Sequence, residues 1–286
     1  MLTLLFDGVA YGMLLFVLAV GLAVTMGLMN FINLAHGAFA MAGGYITVLL
    51  MSRAGVPFFW CLPLSFILTA VLGAAVERTL YRPMYSKPHL DQVLFSIGLV
   101  FMAIAAIDYL VGSQQQIVQL PAVLQGRLDI ADVGIGKYRL FIIVVCALLT
   151  VALQLTLTRT RFGSRLRASV DDSRVAGGLG LDVNRIFLLT FSVGSGLAGL
   201  GGALGADVLG LDPSFPLKFM VYFLIVVSVG GTATITGPLL AALLLGIADV
   251  MGKYYVPALG SFIVYSLMIA ILVARPQGLF ARVGAR

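Results

Sequence analysis

The sequence predicts an all-α, polytopic helical membrane protein with about eight to ten transmembrane helices, including broken or re-entrant segments. Three observations carry that class. The chain is 60% hydrophobic and 10% charged, with a mean hydropathy of +1.07. The interior of a soluble domain of 286 residues cannot hide that much apolar surface. Apolar runs approaching the ~20 residues of a spanning helix recur from end to end. Twelve of the 18 Lys and Arg residues also gather in three segments, the pattern expected when basic loops stay on the cytoplasmic side.

Taken in order, the apolar segments lie near 8–28, 38–52, 58–76, 93–111, 140–157, 186–206, 217–229, 239–252 and 260–274. The stretch before the first, Met1 to Asp7, lacks the basic region of a secretory signal, so this span is expected to be retained. Having no Lys or Arg, it does not fix the side of the N-terminus. The polar run Asn30-Phe-Ile-Asn-Leu-Ala-His-Gly37 then interrupts the apolar pattern. Arg78, Arg82 and Lys87 mark a first basic loop, and the Gln- and Gly-rich loop 112–138 falls on the opposite, outer side.

The long polar segment 158–185 holds Arg159, Arg161, Arg165, Arg167, Arg174 and Arg185, with apolar residues spaced at helical intervals between them. That spacing predicts a folded cytoplasmic element that touches another protein, with Leu166, Val170 and Val175 as its apolar face. Gly163 and Gly180 would permit the turns at its ends. After it, Gly194, Ala198, Gly202 and Ala206 recur every four residues. Such a stripe lets another helix approach closely, within the subunit or at a dimer seam. Two further breaks follow: Leu209 to Pro216, with two prolines, and Gly230-Gly-Thr-Ala-Thr-Ile-Thr-Gly-Pro238. Arg275, Arg282 and Arg286 place the C-terminus in the cytoplasm. The whole reads as one transmembrane domain over 1–286.

Together these motifs resemble a known family. Gly27-Leu-Met-Asn-Phe-Ile-Asn-Leu-Ala-His-Gly37 is similar to the hallmark of the branched-chain amino acid permeases of ABC importers, of the LivH type. Glu77 to Pro83, Arg161 to Ala168 with Val175-Ala176 and Leu179-Gly180, Gly230-Gly231 with Gly237-Pro238, and Arg275 to Phe280 resemble further family motifs in the same order. The resemblance covers nearly the whole chain. It implies a multi-pass permease of a bacterial inner membrane, working with a LivM-like second permease, two ABC ATPase subunits and a periplasmic solute-binding protein. The solute would be a branched-chain amino acid or, within the same family, urea, an amide or an aromatic carboxylic acid. Where relatives often carry an acidic residue after His-Gly, this chain has Ala38, which removes a group able to recognise an ammonium or amide.

The same resemblance implies that Arg161, Gly163, Arg165, Leu166, Arg167, Ala168, Asp171, Ala176 and Gly180 belong to an ATPase-coupling loop. Its bland alternative is a loop whose arginines only enforce topology. Asn30, Asn33 and His36 lie three residues apart, so a helical segment would set them along one face, with Gly37 marking the break. Polar groups at this depth serve either a substrate path or the repair of a broken helix. Thr232, Thr234 and Thr236 could offer hydroxyls to a carboxylate or back-bond to carbonyls.

The chain has no Gly-x-x-x-x-Gly-Lys-Ser/Thr run, so ATP would be used by partner subunits and no cofactor is expected here. His36 and His89 are too differently placed for a metal pair, and Cys61 and Cys146 lie in apolar runs. Because the basic residues trace topology, the +6 charge does not point to nucleic acid. Asp249 and Lys253, four apart, read as a local pair and not as a proton relay. An ion-coupled secondary transporter would need ionisable residues in mid-span and no docking loop. A membrane-embedded enzyme would need a paired carboxylate, a metal cluster or an activated nucleophile in a span.

Overall fold

A computed structural model describes residues 1–29, 31, 33–130, 133–231, 234–275 and 278. Among them are eleven α-helices: α1 (Leu2–Met29), α2 (His36–Ala54), α3 (Phe58–Val76), α4 (His89–Val111), α5 (Lys137–Arg159), α6 (Arg161–Asp171), α7 (Ser173–Gly178), α8 (Val183–Leu209), α9 (Phe215–Gly230), α10 (Thr236–Tyr255) and α11 (Gly260–Ala274). Each of the nine apolar segments of the sequence lies in one of these helices. Seven helices are long and apolar enough to cross a membrane, whereas α9 and α11 are shorter. The chain is a multi-pass helical membrane protein. The loop 112–138 also forms a small antiparallel hairpin of β1 (Arg127–Ile130) and β2 (Val133–Gly136), which the all-α expectation did not include.

Local chemistry sets the helix ends. Gly55 adopts φ 63 as a left-handed cap on α2, and Pro57 starts the next element. Asp182 accepts from the Arg185 amide to cap α8, and Gly210 at φ 74 ends it.

Helix α8 is the hub. Its segment from Gly194 to Ala206 is buried on all sides, against α1, α2 and α3. Gly194 sits 3.3 Å, measured from an added Cβ, from Gly21 of α1, and Gly201 meets Leu18 of the same helix. A Cβ on Gly202 would overlap the Ala40 carbonyl of α2, and one on Gly199 would overlap Thr69 of α3. The four-residue stripe thus packs inside this subunit. Because lipid tails are as apolar as leucine, association here depends on close van der Waals contact, which only small residues allow.

The same contacts give directions. Gly21 meets Gly194 and Leu14 meets Gly205, so α1 and α8 are antiparallel. Gly8 meets Ile247 and Gly12 meets Leu243, so α1 and α10 are antiparallel too. The N-terminus therefore lies at the end of the bundle that carries the β-hairpin. Helices α6 and α7 lie at the other end, where α5 finishes and α8 begins. Helices α4 and α5 turn apolar side chains outward, among them Met102, Leu110, Leu148 and Val151, a surface suited to lipid.

Candidate functional site

The element between α5 and α8 is a folded pair of short helices. Thr160 caps α6 by accepting from the Gly163 amide, and Asp172 caps α7 by accepting from Arg174 N and Val175 N at 2.9 and 3.0 Å. Helix α6 is amphipathic. Its inner face carries Gly163, Leu166 and Ser169, all buried. A Cβ at Gly163 would overlap the Leu157 carbonyl at the end of α5, so glycine allows α6 to sit directly on that end. Arg167 donates to the same Leu157 carbonyl. Leu166, wholly buried, closes one wall of an apolar cavity of about 230 Å³ between α1, α5 and α8.

These positions correct two expectations. Leu166 is not part of an outward apolar face, because the helical period turns it toward α5 and α8. Gly163 makes a close approach within α6 and not a turn, whereas Gly180, with φ 84, does make one. Ala176 is buried beneath α7. The outward face carries Arg161, Arg165, Ala168 and Asp171, with Val175 and Leu179 exposed beside them. Leu179, of the Leu179-Gly180 motif, is 79% exposed.

The first break is built differently from the expected helical face. Asn33 lies in a non-helical link, and His36 is the first residue of α2. Asn33 Oδ1 accepts from the Ala35 amide at 3.0 Å and from Tyr81 Oη at 2.7 Å. The first of these is a local side-chain turn that competes with helix, so Asn33 and His36 do not share a helix face. Leu34 N donates to Ser96 Oγ at 3.2 Å, tying the link to α4. His36 Nε2 lies 2.8 Å from the Leu18 carbonyl of α1, with Phe223 of α9 edge-on to its ring. Gly37 stands inside α2, where it lets Pro216 of α9 come close. Asn33 Nδ2 is buried with no partner among the described residues.

Tyr81, which sequence reading did not single out, is the pivot of this region. It is fully buried and packs against Phe31, Phe95 and Phe191. It belongs to a π-helical turn, Glu77–Tyr81, that continues α3. Nearby, buried Glu77 accepts from Tyr85 Oη at 3.0 Å.

At the last break, Thr234 Oγ1 accepts from the Gly237 amide at 3.3 Å and from Thr236 Oγ1 at 3.2 Å. Thr234 and Thr236 are exposed, and their contacts are those of a helix start. Asn30 and Thr232 lie outside the described residues.

Comparison with known proteins joins these features. The family described as branched-chain amino acid transport system / permease component matches residues 4–272. The chain belongs to this family. The permease is 28% identical to the BraD high-affinity branched-chain amino acid transport system permease protein of Pseudomonas aeruginosa, over 97% of this chain and 95% of that one. It is 25% identical to LivH of Escherichia coli, covering 97% and 94%. It is 28% identical to LivM of Salmonella typhimurium, where the match takes in 93% of the permease but 68% of the relative. The length thus agrees with the LivH type. No solved structure matches the permease.

Proposed function

We propose that this permease works in a bacterial inner membrane as one half of an ABC importer for branched-chain amino acids or related small polar solutes. It carries out no covalent chemistry. Two separate ABC ATPase subunits bind and hydrolyse ATP, a LivM-like subunit completes the pore, and a periplasmic binding protein delivers the solute. The LivH and LivM names of its relatives support a two-permease system.

The observation that carries the mechanism is the α6–α7 element. Its inner face is locked to α5 through Leu166 and Gly163, while Arg161, Arg165, Val175 and Leu179 face outward. A rigid element anchored to the bundle and offering a mixed basic and apolar face transmits a push from a docked ATPase to the spans. Closure of the two ATPases around ATP would then switch the cavity between outward and inward access. Asn33 and His36, with Gly37, hold the first break and join α1, α2 and the Tyr81 turn, so they take part in that movement without needing direct contact with solute. Thr234 and Thr236 stand at the break between α9 and α10, where they start α10.

The test compares two faces of one helix. Arg165→Glu, on the outward face, should leave the melting temperature of the permease unchanged while abolishing ATPase co-purification and uptake. Leu166→Ala, on the inward face, should lower stability by about 2–5 kcal/mol along with uptake. Normal ATPase binding and uptake in Arg165→Glu would refute the docking role.

A further inference from the structure

At the hairpin end, α1, α5, α8, α9 and α10 enclose a cavity of about 380 Å³. Its wall carries both signs of charge: Asp7 and Asp249 against Arg139, Lys218 and Lys253. Asp249 is the deepest of these, its side chain only 3% exposed. It accepts from Lys253 Nζ at 2.6 Å and from Tyr222 Oη at 3.3 Å. The rest of the lining is apolar and includes Ala10, Leu14, Ile142 and Phe219. A second chamber of about 570 Å³ lies beside the β-hairpin and shares Asp7, Arg139 and Val208 with the first. The Asp7–Arg139 ion pair therefore stands where the two chambers meet.

We propose that this cavity is a transit site for a zwitterionic α-amino acid. Its ammonium faces Asp249 and the Tyr222 hydroxyl, its carboxylate faces Lys253 and Arg139, and its side chain rests on the Leu14, Ile142 and Phe219 surface. The proposal deepens the import reading and rests on it. A buried carboxylate opposite half-exposed cations matches a ligand with two opposite charges on one carbon. A neutral amide or a simple acid would leave one end of the cavity with its charge uncompensated by ligand. The site is open to exchange because each ion pair has one partner partly in water. Lys253 is 51% exposed against 3% for Asp249, and Arg139 is 43% exposed against 16% for Asp7. A ligand ammonium that took the place of the Lys253 ammonium would keep the buried Asp249 carboxylate paired, so the exchange leaves no buried charge bare. Affinity should accordingly be low, roughly millimolar, as a passage site requires. The Asp7–Arg139 pair would part to admit the solute from the hairpin side.

The experiment uses the assembled transporter in nanodiscs without the binding protein, and saturation-transfer NMR with L-leucine, L-leucinamide or 4-methylpentanoate. Leucine should show transfer, and the two analogues, each lacking one charge, should show at least about five-fold less. Lys253→Met, at a half-exposed position, and Asp249→Asn should each remove the leucine signal. Co-purification of the ATPase subunits reports that each complex is intact, and if Asp249→Asn fails to assemble, Lys253→Met decides alone. Equal transfer from all three probes, or an unchanged leucine signal in an intact Lys253→Met complex, overturns the site. If such a complex still imports leucine, the cavity assignment fails and the import reading stands. If the wild-type chain neither assembles with ATPases nor imports any amino acid, the import reading itself has failed.

Discussion

Asn33 holds one oxygen between two donors, and that arrangement organises the first break. Its Oδ1 stops the backbone from continuing as helix by taking the Ala35 amide, and it fastens the link to Tyr81. Tyr81→Phe keeps the aromatic packing and loses one buried hydrogen bond, an expected cost of about 0.5–1.5 kcal/mol. Asn33→Ala leaves both donors without their acceptor and should cost about 1–3 kcal/mol. The double mutant should cost less than the sum, because the shared bond is counted twice. Thermal unfolding in detergent reads this cycle, and strictly additive losses would show that the two residues are uncoupled. Asp212, in the loop before α9, supplies a pH-dependent contact. Burial pushes its pKa up, but hydrogen bonds from Lys218 and Ser214 outweigh that and hold the carboxyl below its usual range. A folded value below the unfolded one gives stabilisation that is complete at neutral pH and is lost as pH falls through the folded value. The melting-temperature gap between wild type and Lys218→Met should therefore be full at pH 7 and close on acidification. A gap that is absent at pH 7 would count against the ion pair.

At the scale of elements, glycine position separates contact from tolerance. Gly202 of α8 faces the Ala40 carbonyl of α2, while Gly98 of α4 has nothing near its would-be Cβ. Backbone cannot move aside as a side-chain tip can. Gly202→Ala should thus cost about 1–3 kcal/mol or more through overpacking, and Gly202→Leu should prevent assembly. Gly98→Ala should be neutral or stabilise by up to about 1 kcal/mol, since alanine favours helix. Melting temperature and monodisperse yield compare them, and equal effects at the two positions would mean that α8 is not the packing hub. The α6 helix makes the same point with leucine. Three apolar residues at helical spacing were legible in the segment 158–185, but the surface that Leu166 faces belongs to α5 and α8.

For the whole molecule, the antiparallel pairing of α1 with α8 puts Met1 at the hairpin end and α6–α7 at the other. With the basic loops expected inside, the N-terminus is expected outside. Introduced cysteines test this cleanly because Cys61 and Cys146 are buried. Thr3→Cys and Gln114→Cys should react with a membrane-impermeant maleimide in intact spheroplasts. Ser173→Cys should react only after permeabilisation. The opposite pattern would invert the bundle.

Composition and hydropathy by themselves determined the membrane class, the nine apolar helices and the basic element between α5 and α8. These are statements about which residues must leave water, and they are written locally along the chain. The glycine stripe of α8 was equally legible as a place of close approach. What it approaches, the face Leu166 takes, the end of the bundle that holds the N-terminus and the Asn33–Tyr81 bond were decided only by tertiary structure. That bond joins residues 48 positions apart, and Asp7 meets Arg139 across three intervening α-helices. Between helices in lipid there is no hydrophobic driving force to choose partners, so the choice falls to shape and hydrogen bonding, which exist only once the helices are packed.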